Sequence, residues 1–199
     1  FLQKTNITRD FAEDLEMGRI FWPEESWKNK AENLKELQAS ETKGLAALNE
    51  VIINALNHVP ACLEFLECLE NQQVFRFCAI PQLMAIATLE ELFDNKKVLH
   101  ENVKIRKGKT AKYFMSIQDF DTAKKEFTYI LKKMEKKDKT GQIKSILKKI
   151  KYMKNISKNL NKFFLDFFKY VNCCKKSVSP EIHTSSSSPF CIEYTERLA

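Results

Sequence analysis

The chain has 199 residues, 44% of them hydrophobic, with only 4 Gly and 5 Pro and a formal net charge of +7. That composition points to one sizeable helix-rich core, and its 6 cysteines, with no CxxC pair and no histidine partner at zinc spacing, exclude a zinc site and read as reduced thiols. Charge is divided unevenly: residues 1–103 are net −7, whereas residues 104–176 hold 22 Lys and Arg against 6 Asp and Glu.

The first predicted element is a helix from Phe1 to Met17. Gln3, Asn6, Asp10 and Asp14 recur on one face at steps of three and four, with Arg9 and Glu13 beside them. Ile7, Phe11 and Leu15 mark the face to be buried. Two carboxylates one turn apart suit Mg²⁺, which takes few protein oxygens and fills its shell with water and phosphate. Taken alone, a DxxxD spacing serves an ordinary solvated face equally well. Gly18 stops the helix, and Arg19 and Phe21-Trp22-Pro23 lead into a connector that reaches about Ser40.

Helical spacing of apolar residues then runs from Lys43 to Val59, is interrupted at Pro60, and continues from Cys62 to Leu69. A third helix, Phe75 to Phe93, is apolar enough to be buried in a bundle. Pro81 inside it removes the hydrogen bond to the Phe77 carbonyl, so a kink there would aim Phe77 and Gln82 differently from a straight helix. Lys104, Arg106, Lys107 and Lys109 follow as a basic cluster in a loop. From Ile143 onward, apolar residues at steps of three and four among lysines predict a basic amphipathic helix, suited either to an anionic membrane surface or to packing on the body. Phe163 to Cys174 is too short and too charged to cross a bilayer, and Ser185 to Ser188 belong to a predicted disordered tail. Aromatics confined to the apolar stripe argue against nucleic-acid binding. The absence of GxGxxG argues against a Rossmann cofactor site.

Three separated stretches, FLQKTNITRDFAEDLEMGRIFWPEESW, VFRFCAIPQLMAIATL and VKIRKGK, resemble in order the motifs of the squalene and phytoene synthase family, the head-to-head prenyl synthases. The FWP triplet and the KIR segment point to the eukaryotic, squalene-forming branch. The resemblance covers Phe1 to about Lys136 and corresponds to the C-terminal half of such an enzyme. It implies an all-α fold, part of the isoprenoid (terpenoid) synthase helical bundle, spanning residues 1–136. A basic amphipathic segment at 137–176 and the tail at 177–199 follow. It also implies Mg²⁺-dependent condensation of two farnesyl diphosphates to presqualene diphosphate, then reduction to squalene by NADPH.

Residue by residue, the resemblance assigns Mg²⁺ to Asp10 and Asp14 with help from Glu13, and diphosphate or the pocket wall to Gln3, Asn6, Arg9 and Arg19. Phe77, with Gln82 as a further catalytic residue, falls to the second half-reaction, where an aromatic face can stabilise an allylic cation without offering a nucleophile. Lys104, Arg106 and Arg9 fall to the phosphates of NADPH. Family habit implies a monomer on the cytosolic face of the endoplasmic reticulum membrane. Because the family's first aspartate-rich motif lies upstream of the matching region, the isolated chain is expected to be incomplete. The alternative is a non-catalytic remnant that acts at membrane surfaces through its basic helix.

Overall fold

A computed structural model describes residues 1–153. The helical register beyond Met153, Phe163 to Cys174 and the serine-rich tail therefore lie outside the described residues. Those described are helical or irregular, with no strand among them, in agreement with the all-α expectation.

In chain order run α1 Leu2–Arg9, α2 Phe11–Glu16, α3 Glu24–Trp27, α4 Leu34–Ala39, α5 Glu41–Leu56, α6 Val59–Glu67, α7 Gln72–Leu92, α8 Lys107–Ser116 and α9 Phe120–Glu135, with a 3-10 turn at Lys96–Leu99 before α8. The core is built on α5 and α7. Gly44, Ala47, Leu48, Val51, Ile52, Ala55 and Leu56 form the buried stripe of α5 at steps of three and four. α7 packs against α1, α6, α8 and α9, while α5 takes α1, α3, α4 and the 3-10 turn.

Local chemistry sets the boundaries. Pro60 sits in the first turn of α6, where its missing N–H costs nothing, so the interruption falls between Leu56 and Val59. Asn71 starts α7 by accepting from the Gln73 and Val74 amides at 2.9 and 3.1 Å. Asp119 and Thr122 close a capping box at the start of α9. The connector after Pro23 is more ordered than its sequence suggests: it holds α3 and α4, with Asn33 capping the latter through the Glu36 amide at 3.0 Å.

At Gly44 the chain leaves no room for a side chain. A Cβ there would lie 2.5 Å from the Leu37 carbonyl oxygen and 2.5 Å from a Leu99 methyl. Gly44→Ala is therefore expected to destabilise the chain by about 1–3 kcal/mol through overpacking, although alanine gains roughly 1 kcal/mol in helix propensity. Urea unfolding checks the sign, since relief of helix entropy alone would raise the midpoint.

Residues 142–153 are helical and bury Ile143, Ile146, Ile150 and Met153 in the shared core. Asp138 anchors the turn before them by accepting from the Thr140 and Ile143 amides at 2.8 and 2.9 Å. In this stretch the apolar stripe of the basic helix belongs to the protein interior, and Lys144, Lys148, Lys149 and Lys151 face solvent.

Candidate functional site

The expected motif helix is present in two parts that meet at Asp10, whose φ of −89° and ψ of 14° place it in the sparsely populated bridge region. The inner surface of α1 is made by Thr5 and Thr8, not by large apolar residues. Their hydroxyls are satisfied locally, donating to the Phe1 carbonyl at 3.3 Å and the Lys4 carbonyl at 2.6 Å. Small inner side chains let α1 lie directly against α5 and α7. Phe11 is buried as expected, whereas Ile7 and Leu15 are only half-buried.

The Phe21-Trp22-Pro23 segment folds back under this helix pair. Trp22 is 3% exposed, lies 4.2 Å from the Phe11 ring at a 38° tilt, and donates from Nε1 to the Ile7 carbonyl at 3.1 Å. Trp27 in turn donates to the Trp22 carbonyl at 3.3 Å. Before the fold-back comes a Schellman turn. Gly18 has φ +71°, its amide donates to Leu15, and the Arg19 amide donates to the Asp14 carbonyl at 2.7 Å. The turn brings the Arg19 side chain back as well, so Nη2 lies 2.8 Å from Asp14 Oδ1. The glycine thus fixes which cation faces Asp14.

Each carboxylate of the DxxxD pair has its own arginine. Arg9 forks onto Asp10, Nε to Oδ1 at 2.7 Å and Nη2 to Oδ2 at 2.8 Å. Asn102 adds a donor to Asp10 Oδ1 at 3.0 Å. The Arg9 hydrogen bonds, followed by Asn102 and the nearby Lys104 charge, hold Asp10 below the ordinary carboxylate value despite partial burial, and Arg9 is raised in turn by Asp10. Asp14 is buried, Glu13 is exposed, and Asn102 also reaches Glu13 Oε2 at 3.3 Å. Among the described residues no group of three or more His, Cys, Asp or Glu side chains forms a ready metal cage. A cation here would draw part of its shell from water and a bound anion.

A groove of about 590 Å³ runs beside this motif. Asn6 and Arg9 of α1, Pro81 and Met84 of α7, and Lys104 and Lys107 at the entrance to α8 line it. The structure therefore brings Asn6, Arg9 and Lys104 together, from segments far apart in sequence. Gln3, Arg19 and Arg106 are exposed and do not line it.

The basic cluster differs from the expected loop: Arg106 is the N-cap of α8, and Lys107 and Lys109 fall in its first turn. No side chain caps that helix start. Cations at a helix N-terminus oppose its dipole, an arrangement that an anion would relieve. Lys109 is not free for such a role. Its Nζ lies 2.7 Å from Glu90 and 3.6 Å from Glu91, and Lys133 also reaches Glu90 at 2.7 Å. Burial pushes Glu90 up, but these two ammonium donors outweigh it and hold the carboxyl below its usual value. The knot ties α7, α8 and α9.

Phe77 and Gln82 do not share an environment. Phe77 is 80% exposed and continues the face of Pro81 and Met84 one turn beyond the groove, near Phe114. Gln82 is rotated off that face and half-buried, with Oε1 buried and unpartnered. Pro81 lies within an unbroken α7 and leaves the Phe77 carbonyl without its helical donor. Sequence reasoning missed Asn102, Thr5 and Thr8, and placed Lys107 in the basic cluster without giving it a role. Only Lys107 carried a signal, through its place beside the KIR segment.

The squalene/phytoene synthase family model matches residues 1–109. Squalene synthase ERG9 of Candida albicans is 50% identical over 120 residues, 58% of this chain and 27% of the relative. Squalene synthase of Homo sapiens is 47% identical over 126 residues, 62% of this chain and 30% of the relative. Among solved structures, the complex of TcSQS with the ligand E5700 matches with a TM-score of 0.73 at 35% identity, covering 77% of this chain and 48% of that one. The chain thus spans about three-tenths of the length of these curated relatives.

Proposed function

Because the chain belongs to the squalene/phytoene synthase family, we propose that it supplies one wall of a squalene synthase active site. The full activity would be head-to-head condensation of two farnesyl diphosphates to presqualene diphosphate, followed by NADPH-dependent reduction to squalene. The observation that carries this reading is the groove in which Asn6 and Arg9 of the aspartate motif meet Lys104 and Lys107 beside the apolar Pro81 and Met84.

Asp10 and Asp14 would hold Mg²⁺, with Glu13 assisting. The donor set is hard oxygen throughout, and Asn102 Oδ1 beside Asp10 is a buried acceptor that a water of hydration could satisfy. The bound ion would supply Lewis-acid support for a departing diphosphate. Arg9, with Asn6 on the same groove and Gln3 and Arg19 nearby in sequence, would orient that diphosphate through directional N–H donors. Met84, Pro81 and the Phe77 ring would present an apolar surface to the prenyl chain and keep water from reactive carbons. Gln82, turned from that surface, would act only through its neighbours. Lys104 and Arg106, at the uncapped start of α8, would bind the phosphates of NADPH.

No helix among the described residues is long and apolar enough to cross a membrane. Attachment to the cytosolic face of the endoplasmic reticulum, as the family implies, would draw here on the solvent-facing lysines of residues 142–153, since their apolar partners are buried.

The test incubates the purified chain, alone and with a separately expressed upstream half of a squalene synthase, with farnesyl diphosphate, Mg²⁺ and NADPH. Squalene is expected only in the mixture. In that mixture Phe77→Leu is expected to accumulate presqualene diphosphate, as loss of a cation-facing ring requires. No product from folded protein in either setting would favour the non-catalytic, membrane-surface reading.

A further inference from the structure

We propose that Asn102 is a positioning residue that couples the KIR segment to the carboxylates of the metal motif. Its Nδ2 donates to Asp10 at 3.0 Å and to Glu13 at 3.3 Å, although neither residue is its neighbour in sequence. With both carboxylates on the amine side, the amide is held in one sense, and Oδ1 is left buried without a donor. A buried amide oxygen without a partner carries a desolvation penalty. A water bound to a cation on Asp10 is the donor whose arrival would remove it, because a divalent ion polarises its waters toward nearby acceptors.

The backbone that presents Asn102 is fixed from the other side. Gln38 donates to the Leu99 carbonyl at 2.8 Å, and Val98 and Leu99 are fully buried. Asn102 therefore leaves a pinned turn and enters Val103-Lys104. One side chain sets the direction of two carboxylates while its own backbone sets where Lys104 enters the groove. This rests on the reading of Asp10 as a metal ligand.

The test uses the 199-residue chain, with Mn²⁺ and inorganic pyrophosphate as probes and free Mn²⁺ read by electron paramagnetic resonance. Asn102→Leu keeps the size of the side chain and removes both its donor and its acceptor. It is expected to weaken Mn²⁺ binding in the presence of pyrophosphate about tenfold, with pyrophosphate binding in the absence of metal and the metal-free melting temperature unchanged. An equal loss of metal-free pyrophosphate binding would show a merely structural role and overturn the proposal. Asp10→Asn serves as the control. If it abolishes Mn²⁺ binding while Asn102→Leu does not weaken it, the role of Asn102 fails and the metal reading stands. If Asp10→Asn leaves binding intact, the metal reading itself has failed and takes the proposal with it. Should Asn102→Leu not fold, Asn102→Ser, too short to span both carboxylates, gives the same reading.

Discussion

Asp10→Asn, introduced into the chain completed by an upstream half, is expected to lower squalene formation by about 10²–10³-fold, equivalent to roughly 3–4 kcal/mol of transition-state stabilisation. Its effect on folding is expected to be small. Arg9 and Asp10 are both partly solvent-exposed, at 31% and 25% for their side chains, and pairs of that kind contribute about 0–1 kcal/mol. The two readouts therefore separate a ligand from a strut. If melting falls while product formation is retained, the aspartate is structural; loss of product at an unchanged melting temperature supports the metal assignment. On the proposed reading, presqualene diphosphate should fall with squalene, because the first ionisation would already draw on the cation.

Trp22→Ala is expected to have the largest effect on stability, about 3–5 kcal/mol. Three losses coincide: a fully packed indole, its contact with Phe11, and the donor to the Ile7 carbonyl. Against a typical total of about 5–15 kcal/mol, that is roughly a fifth or more of what holds a domain folded. At roughly 2–4 °C per kcal/mol for a chain of this size, the thermal midpoint should fall by about 6–20 °C. Trp22→Phe retains the ring contact and leaves only the carbonyl unmatched, so a loss of about 1–3 kcal/mol is expected. Equal losses for the two substitutions would show that the hydrogen bond, and not the packing, carries the anchor. Trp22 bonds to the turn of helix immediately before Arg9 and Asp10, so the same substitution should loosen the motif in any variant that still folds.

Much of the architecture was legible because it is local. The stripe of α5 and the apolar run of α7 follow from residue spacing alone, and Pro60 marks a boundary by backbone chemistry. The carboxylate stripe and its arginines were equally plain, and the family motifs lent them meaning. What escaped was decided by partners distant in sequence. Lys109 and Lys107 look alike in KIRKGK, yet Glu90 claims the first and the groove takes the second. Asn102 carries no signal in its own neighbourhood, because its partners Asp10 and Glu13 lie near the other end of the motif-bearing region. Threonine at 5 and 8 reads as polar surface until the i−4 carbonyls are seen to accept both hydroxyls. Ile143, Ile146 and Ile150 announce an amphipathic helix, but periodicity does not say whether lipid or α-helical neighbours receive the apolar side.

The two arginine–aspartate pairs give the motif a built-in countercharge. With Arg9 on Asp10 and Arg19 on Asp14, the acidic stripe is close to electroneutral when nothing is bound. A divalent ion that approaches by itself competes with these guanidiniums for the carboxylates and leaves any it displaces facing the newcomer, two cations with no anion between them. An ion that arrives with a diphosphate brings the very partner the displaced guanidinium needs. Charge balance alone thus favours joint capture of ion and diphosphate over stepwise loading, and disfavours an idle metal in the empty wall.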